Sequence, residues 1–253
     1  MRVFAVSDLH VDYEPNALWV QQLSLADYQN DVLIVAGDLS DHPDRLQTCL
    51  EALARRFKRV FFVPGNHDLW VRREPELDSF GKFELVKSLA QSAGASMDVF
   101  HHGKLTLVPL LGWYDGTFGE PSPELRLAWM DFRACRWPEG FTSRNIAQTF
   151  MAMNHYQRQS ADEVIVSYSH FLPRIDVMPE QIPLDKRYIY PILGSSALGE
   201  QVKALKPAVH VYGHSHVNRR VLLDGTLYIN NAFAYPHETR IAAKALVCVY
   251  EAV

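Results

Sequence analysis

Five short apolar runs along this chain end in the same way. Arg2–Val6 leads into Ser7-Asp8-Leu9-His10, Val32–Ala36 into Gly37-Asp38, and residues 61–63 into Pro64-Gly65-Asn66-His67-Asp68. Residues 164–166 lead through Ser167-Tyr168-Ser169 to His170, and Val209–Tyr212 into Gly213-His214-Ser215-His216. Each run has the length and the β-branched or aromatic content of a strand buried on both faces. A packed interior does not ask for carboxylates and imidazoles at strand ends. An open α/β sheet does, because its loops present a site beyond the carboxyl edge.

Helical patterns lie between the runs. Residues 15–27 carry Leu18, Trp19, Leu23 and Leu25, and residues 43–57 carry Leu46, Leu50, Leu53 and Phe57, with Pro43 suited to the first turn. Strand–helix alternation with right-handed crossovers makes the first three strands parallel and puts their polar ends on one edge. A third helix is predicted within 75–94, with Gly94 as its left-handed stop. Residues 99–111 read as two strands turning near His101-His102-Gly103.

From 112 to 140 the pattern dissolves into Trp, Tyr, Pro and Gly around a short helix at 124–130, and a helix at 144–158 follows. This region, about 112–160, is the place for a lid or substrate loop. After an irregular, proline-rich stretch come a helix at 196–205, a hairpin of 219–223 and 227–230 around Asp224-Gly225, and a last strand at 245–250. No repeat or linker divides residues 1–253, so one α/β domain is expected.

Composition narrows the class. With 48% hydrophobic and 21% charged residues the chain reads as globular and soluble. A net charge of -4 and the lack of a Lys/Arg stripe argue against a nucleic-acid groove. No run approaches the roughly 20 apolar residues of a membrane span, and Ser7-Asp8 interrupts the opening run far short of a secretory core. Cys49, Cys135 and Cys248 stand alone, without C-x-x-C spacing, as reduced thiols would. A cytoplasmic protein without a membrane partner is expected; the oligomeric state is not legible.

The strand ends collect Asp8, His10, Asp38, Asn66, His67, Asp68, His170, His214 and His216, including five of the chain's 11 histidines. Oxygen and imidazole donors without thiolate suit Mn, Fe or Zn better than Ca or Mg. Seven such ligands over-supply one ion, whereas two ions sharing a bridging carboxylate would leave room for water and substrate. Two divalent ions roughly 3.5 to 4 Å apart can hold both the attacking and the leaving oxygen of an in-line displacement. That is chemistry for hydrolysing phosphate esters.

Asp8-x-His10, Gly37-Asp38, Gly65-Asn66-His67-Asp68, His170 and Gly213-His214-Ser215-His216 together resemble the ordered motif set of the calcineurin-like metallophosphoesterase superfamily, over nearly the whole chain. The resemblance implies a four-layer αββα sandwich: two mixed β-sheets packed face to face, helices outside, and a dinuclear metal site at the strand ends. It implies one ion on Asp8, His10, Asp38 and His216 and another on Asp38, Asn66, His170 and His214, with Asp38 as the bridge. His67 would assist the leaving group as a hydroxide bridging the two ions attacks, and Asp68 would set the tautomer of His67. Gly65 would supply the backbone freedom that separates these roles.

Gly37-Asp38-Leu39-Ser40-Asp41-His42-Pro43 departs from the protein Ser/Thr phosphatase pattern. His67 stands where UDP-diacylglucosamine hydrolases carry Arg. What remains resembles the small bacterial-type phosphoesterases, including cyclic-nucleotide phosphodiesterases, acting on a small phosphodiester or phosphomonoester. The alternatives are a catalytically silent binding scaffold, as in the phosphoesterase-like subunit of retromer, and a nuclease. Trp113-Tyr114-Asp115 could wall the substrate or simply fill the core, and Asp12 and Asp41 fit solvated turns.

Overall fold

The computed structural model describes residues 1–251. Its strands are β1 (Arg2–Val6), β2 (Val32–Ala36), β3 (Arg59–Val63), β4 (Ala95–Ser96), β5 (Phe100–His102), β6 (Leu105–Pro109), β7 (Val164–Tyr168), β8 (Val209–Tyr212), β9 (Arg219–Leu223), β10 (Thr226–Asn230) and β11 (Val247–Glu251). They form two mixed sheets, ordered β11-β1-β2-β3-β4 and β5-β6-β7-β8-β10-β9. In the first, β1 through β4 are parallel and β11 closes the edge antiparallel to β1. In the second, β6, β7, β8 and β10 are parallel, with β5 and β9 antiparallel at the edges.

The alternation of side chains along each strand builds the layers. In β1, Val3 and Ala5 point between the sheets, where they meet Leu107, Val166, Tyr168 and Val211 of the second sheet. Phe4 and Val6 point the other way. There they pack with α1 (Glu14–Gln22), α2 (Pro43–Ala54) and α3 (Ser79–Ser92) through Val20, Leu46, Leu50 and Val86. Over the outer face of the second sheet lie α4 (Pro123–Ala128), α5 (Asp131–Ala134), α6 (Ser143–Met151) and α7 (Ser196–Leu205). Leu125, Ile146, Phe150, Leu198 and Val202 join Val108, Ile165 and Tyr212 in that core. Helix, sheet, sheet, helix is the expected four-layer order.

Two helices end before their periodicity does. The pattern at 15–27 is helical only to Gln22, because the buried Arg56 guanidinium takes the carbonyls of Gln21 and Leu23 and Ser24 Oγ then accepts the N–H groups of Ala26 and Asp27. The pattern at 144–158 stops at Met151. Asn154 exchanges hydrogen bonds of 2.9 Å with both backbone groups of Leu111, which draws the chain towards β6. Trp113, 1% exposed, packs into the core and also borders the cleft along α4 to α6. Among the described residues no helix is long and apolar enough to cross a membrane.

Candidate metal centre

The carboxyl ends of β1, β2 and β3 meet those of β7 and β8 across the two sheets, and the chain turns sharply at five of the polar residues gathered there. Asp8, His10, Asp38, His214 and His216 have φ of 53°, 41°, 59°, 67° and 55°. Left-handed conformation in non-glycine residues is uncommon and concentrates where function over-determines the backbone. The motif glycines supply space. A Cβ on Gly37 would lie 2.4 Å from His170 Nδ1, one on Gly213 would lie 2.8 Å from Asp8 Oδ2, and one on Gly65 would lie 2.1 Å from Asp38 Oδ1. Gly65 is not among the positive-φ glycines, so its value is this close approach and not the conformational freedom expected of it.

Seven side chains gather in two sets. In the first, His216 Nε2 lies 3.1 Å from His10 Nε2 and 3.3 Å from Asp8 Oδ1. In the second, His170 Nε2 lies 3.1 Å from Asn66 Oδ1, 3.1 Å from His214 Nδ1 and 3.5 Å from Asp38 Oδ2. Asp38 also groups with His10 and His67 within metal-ligand reach, so its carboxylate faces both sets.

Their outer partners fix which atoms carry hydrogen. His170 Nδ1–H donates to the Ala36 carbonyl at 2.8 Å, and His214 Nε2–H donates to the Ile192 carbonyl at 3.0 Å. Asn66 Nδ2 donates to Asp131 at 2.9 Å. His170 Nε2, His214 Nδ1 and Asn66 Oδ1 therefore converge as bare lone pairs, with Asp38 Oδ2 beside them. Such a cluster repels itself unless a cation occupies its centre, and outer acceptors on ligating histidines are the usual means of aiming them. In the first set Glu238 plays that part, 2.7 Å from His216 Nδ1. The donor set fits divalent cations.

A family model described as calcineurin-like phosphoesterase matches residues 1–218. The chain belongs to this family. It is a metal-dependent phosphoester hydrolase with a calcineurin-like fold. The acyl-carrier-protein phosphodiesterase PptH of Mycobacterium tuberculosis is 25% identical over 275 residues, spanning 94% of this chain and 79% of PptH. The crystal structure of phosphopantetheinyl hydrolase (PptH) from Mycobacterium tuberculosis superposes with a TM-score of 0.82 at 24% identity, over 98% of this chain and 95% of that one.

Within this calcineurin-like centre the charges are mutually perturbed. Burial, then Asp8 and Asp68, push the Asp38 carboxyl well above the usual carboxylate range. Burial also works against Asp8, but the charge and hydrogen bond of His216 hold its carboxyl below that range. His10 and His214 are driven well below the ordinary imidazole value, first by burial and then by neighbouring histidines. Only His216 rises, to about 9: burial opposes its charge, and Asp8 and Glu238 on either side outweigh it. A buried site with two strand-end carboxylates and mostly neutral imidazoles is poised for added positive charge.

The two residues expected to act on substrate part company. His67 keeps 17% of its side chain exposed, stacks on Trp70 at 3.8 Å and brings Nε2 to 3.9 Å from Asp38 Oδ2. It faces the centre from the solvent side. Asp68 is fully buried and does not hold the His67 ring: its two oxygens accept the backbone N–H groups of Asp38, Leu39, Ser40 and Gly65 at 2.8 to 3.0 Å. In the single 3-10 turn at His67–Leu69 successive side chains diverge, which sends Asp68 under the loops that carry Asp38 and Asn66.

Four contributors escaped the sequence reading: Trp70 beneath His67, Glu238 behind His216, Asp131 behind Asn66, and Tyr235, whose ring lies 4.5 Å from that of His10. Only Trp70, three positions after His67, carried a local signal. Asn230 donates to the Gly213 carbonyl and so shapes the loop bearing His214. Asp12 accepts from Ser40 and Arg45.

Proposed function

We propose that this phosphoesterase holds two divalent cations, of Mn, Fe or Zn type, and hydrolyses a phosphodiester with a small organic arm, a phosphopantetheinyl group on a carrier protein being the natural form. One cation is assigned to Asp8, His10, Asp38 and His216, the other to Asp38, Asn66, His170 and His214. The observation that carries the reading is the convergence of three hydrogen-free acceptors beside Asp38, whose carboxyl also faces a second set. When bound, the cations supply Lewis-acid neutralisation of phosphoryl charge and a lowered pKa for water at the site.

The chain's residues do the rest. His67 is held neutral, since burial and then His216 and His170 bring its pKa down to about 3. A neutral imidazole is scarcely a stronger acid than the leaving alcohol, so its N–H hydrogen-bonds the leaving oxygen and stabilises the charge that develops as the P–O bond breaks, and the water consumed in the hydrolysis supplies the proton that completes the alcohol. Stacking on Trp70 fixes the ring plane for that hydrogen bond. The products are an alcohol and a phosphomonoester. The 112–160 region is assigned as the substrate wall. There α4 to α6 border a cleft of about 580 Å3 lined by Tyr114, Arg126, Phe132, Trp137 and Arg144, which suits a polar arm with an apolar stem. PptH, named for the same linkage, supports this choice of diester.

The test pairs metal analysis with turnover. Mn-loaded protein should hold two ions per chain and cleave bis-p-nitrophenyl phosphate and holo acyl carrier protein. His67→Ala should retain both ions and lose about 10²- to 10⁴-fold in rate. Two bound ions with no cleavage of any diester or monoester would favour the scaffold; unchanged turnover in His67→Ala would remove its role at the leaving oxygen.

A further inference from the structure

Asp131 opens α5, within the region assigned as the substrate wall, and is 2% exposed. Among the described residues its side chain forms no ion pair. Its partners are neutral N–H groups: Asn66 Nδ2 at 2.9 Å and Trp70 Nε1 at 2.7 Å on Oδ1, and Trp129 Nε1 at 2.7 Å on Oδ2. Burying a carboxylate is costly, and three aimed donors offset that cost only where the geometry is held.

Each donor leads to the reaction centre. Asn66 is assigned to a cation, Trp70 is the platform under His67, and Trp129 stands edge-on to His214 at 6.0 Å. An amide can present either its oxygen or its NH2. A carboxylate behind it accepts only, so Asp131 turns the NH2 of Asn66 away from the centre and leaves Oδ1 facing His170 Nε2.

We propose that Asp131 is a positioning residue: it sets the Asn66 amide for the second cation and anchors the Trp70 indole beneath His67, coupling the 112–160 region to both. The proposal rests on the two-cation reading above. No motif in the sequence points to Asp131, and the distances alone assign it.

The experiment is a Mn2+ titration followed by electron paramagnetic resonance and calorimetry on wild type, Asp131→Asn, and the swap Asn66→Asp/Asp131→Asn, with circular dichroism to establish the fold. Wild type holding fewer than two ions overturns the two-cation reading and the proposal with it. With two ions in wild type, Asp131→Asn should leave one site unchanged and weaken the other about 10- to 100-fold. The swap exchanges donor for acceptor while keeping the pair's charge, and should restore the weakened site to within a few fold.

The indole N–H resonances of Trp70 and Trp129, two of the chain's five tryptophans, should shift in Asp131→Asn. Equal weakening of both sites, no weakening, or failure of the swap to restore binding overturns the proposal. Should Asp131→Asn not fold, the swap decides alone: both affinities within a few fold of wild type support the proposal, and loss of one site in the folded swap overturns it.

Discussion

A methyl group at Gly65 should disable the centre while leaving the fold standing. An alanine Cβ would sit 2.1 Å from Asp38 Oδ1 and 2.7 Å from both the Asp38 nitrogen and His170 Cε1, whereas 3.0 Å is about the closest approach that real Cβ atoms make. Asp38 Oδ1 must then retreat by about 0.9 Å. It is held by the His67 N–H at 2.9 Å, and the other oxygen faces His170, so the retreat moves the carboxylate that both donor sets share. Overpacking of this kind costs about 1–3 kcal/mol, a melting shift of several degrees in a chain of this size. A misplacement near 1 Å costs on the order of 10²-fold in rate.

The assay is Mn per chain after gel filtration, kcat/KM on bis-p-nitrophenyl phosphate, and a thermal melt. Gly81→Ala is the control, since its Cβ in α3 would meet Leu77 at 3.4 Å, an ordinary contact, and should leave rate and ion content unchanged. Gly65→Ala with ion content and rate within about twofold of wild type, against the order of 10²-fold expected from displacement, would refute the close-approach argument.

Asp68→Asn should act on structure before chemistry. It replaces one of the two oxygens by an NH2, so two of the four backbone N–H groups that define the loops at 38–40 and 65 lose their acceptor and face a donor instead, costing about 1–3 kcal/mol and lowering affinity at both ion sites, measurable by denaturation and metal titration. A variant that lost rate alone, with both affinities intact, would return Asp68 to the role beside His67. A separate pH effect follows from His210, which is fully buried between Ser167 and Ser169 and has its pKa lowered to about 3 by burial. The unfolded chain takes up that proton below about pH 6.5 and the native state does not, so stability falls as pH drops from there towards 3, by about 1.4 kcal/mol per unit. Denaturation at pH 7, 6 and 5 should show a slope shallower by about one proton in His210→Asn; equal slopes would mean that His210 does not titrate on unfolding.

Strand ends were legible because each combined an apolar run with a polar stop, and α7 occupies the residues its pattern marked, Ser196–Leu205. The Asp224-Gly225 turn, with φ of 50° and 84°, was equally plain. Periodicity could not say which strands share a sheet, since strands buried on both faces read alike; the division into two sheets came from the motif resemblance. What remained hidden depended on direction. Asp68 follows His67 in sequence and points elsewhere in space. Asp131 and Glu238 lie far along the chain from Asn66 and His216, in stretches without period, and reach them only through the tertiary fold. Helix ends at Gln22 and Met151 were set by Arg56 and Asn154, each acting across tens of residues.

The strained backbone bears on the choice between enzyme and scaffold. Left-handed conformation costs roughly 1–2 kcal/mol per non-glycine residue, somewhat less for Asp. The five residues in that region proposed as ligands therefore represent on the order of 5 kcal/mol, comparable with the whole net stability of an ordinary domain. To this is added the repulsion among lone pairs 3.1 Å apart at His170, His214 and Asn66. A surface that only bound another protein would draw nothing from either cost, because these side chains are buried beneath the exposed face of His67. Cation binding draws on both: it converts the repulsion into coordination, and it stabilises the fold by about 2.7 kcal/mol for each ion present at a hundred times its Kd. On the proposed reading, strain at the ligands and the outward placement of His67 are two parts of one arrangement, a charge trap below and a hydrogen-bond donor above.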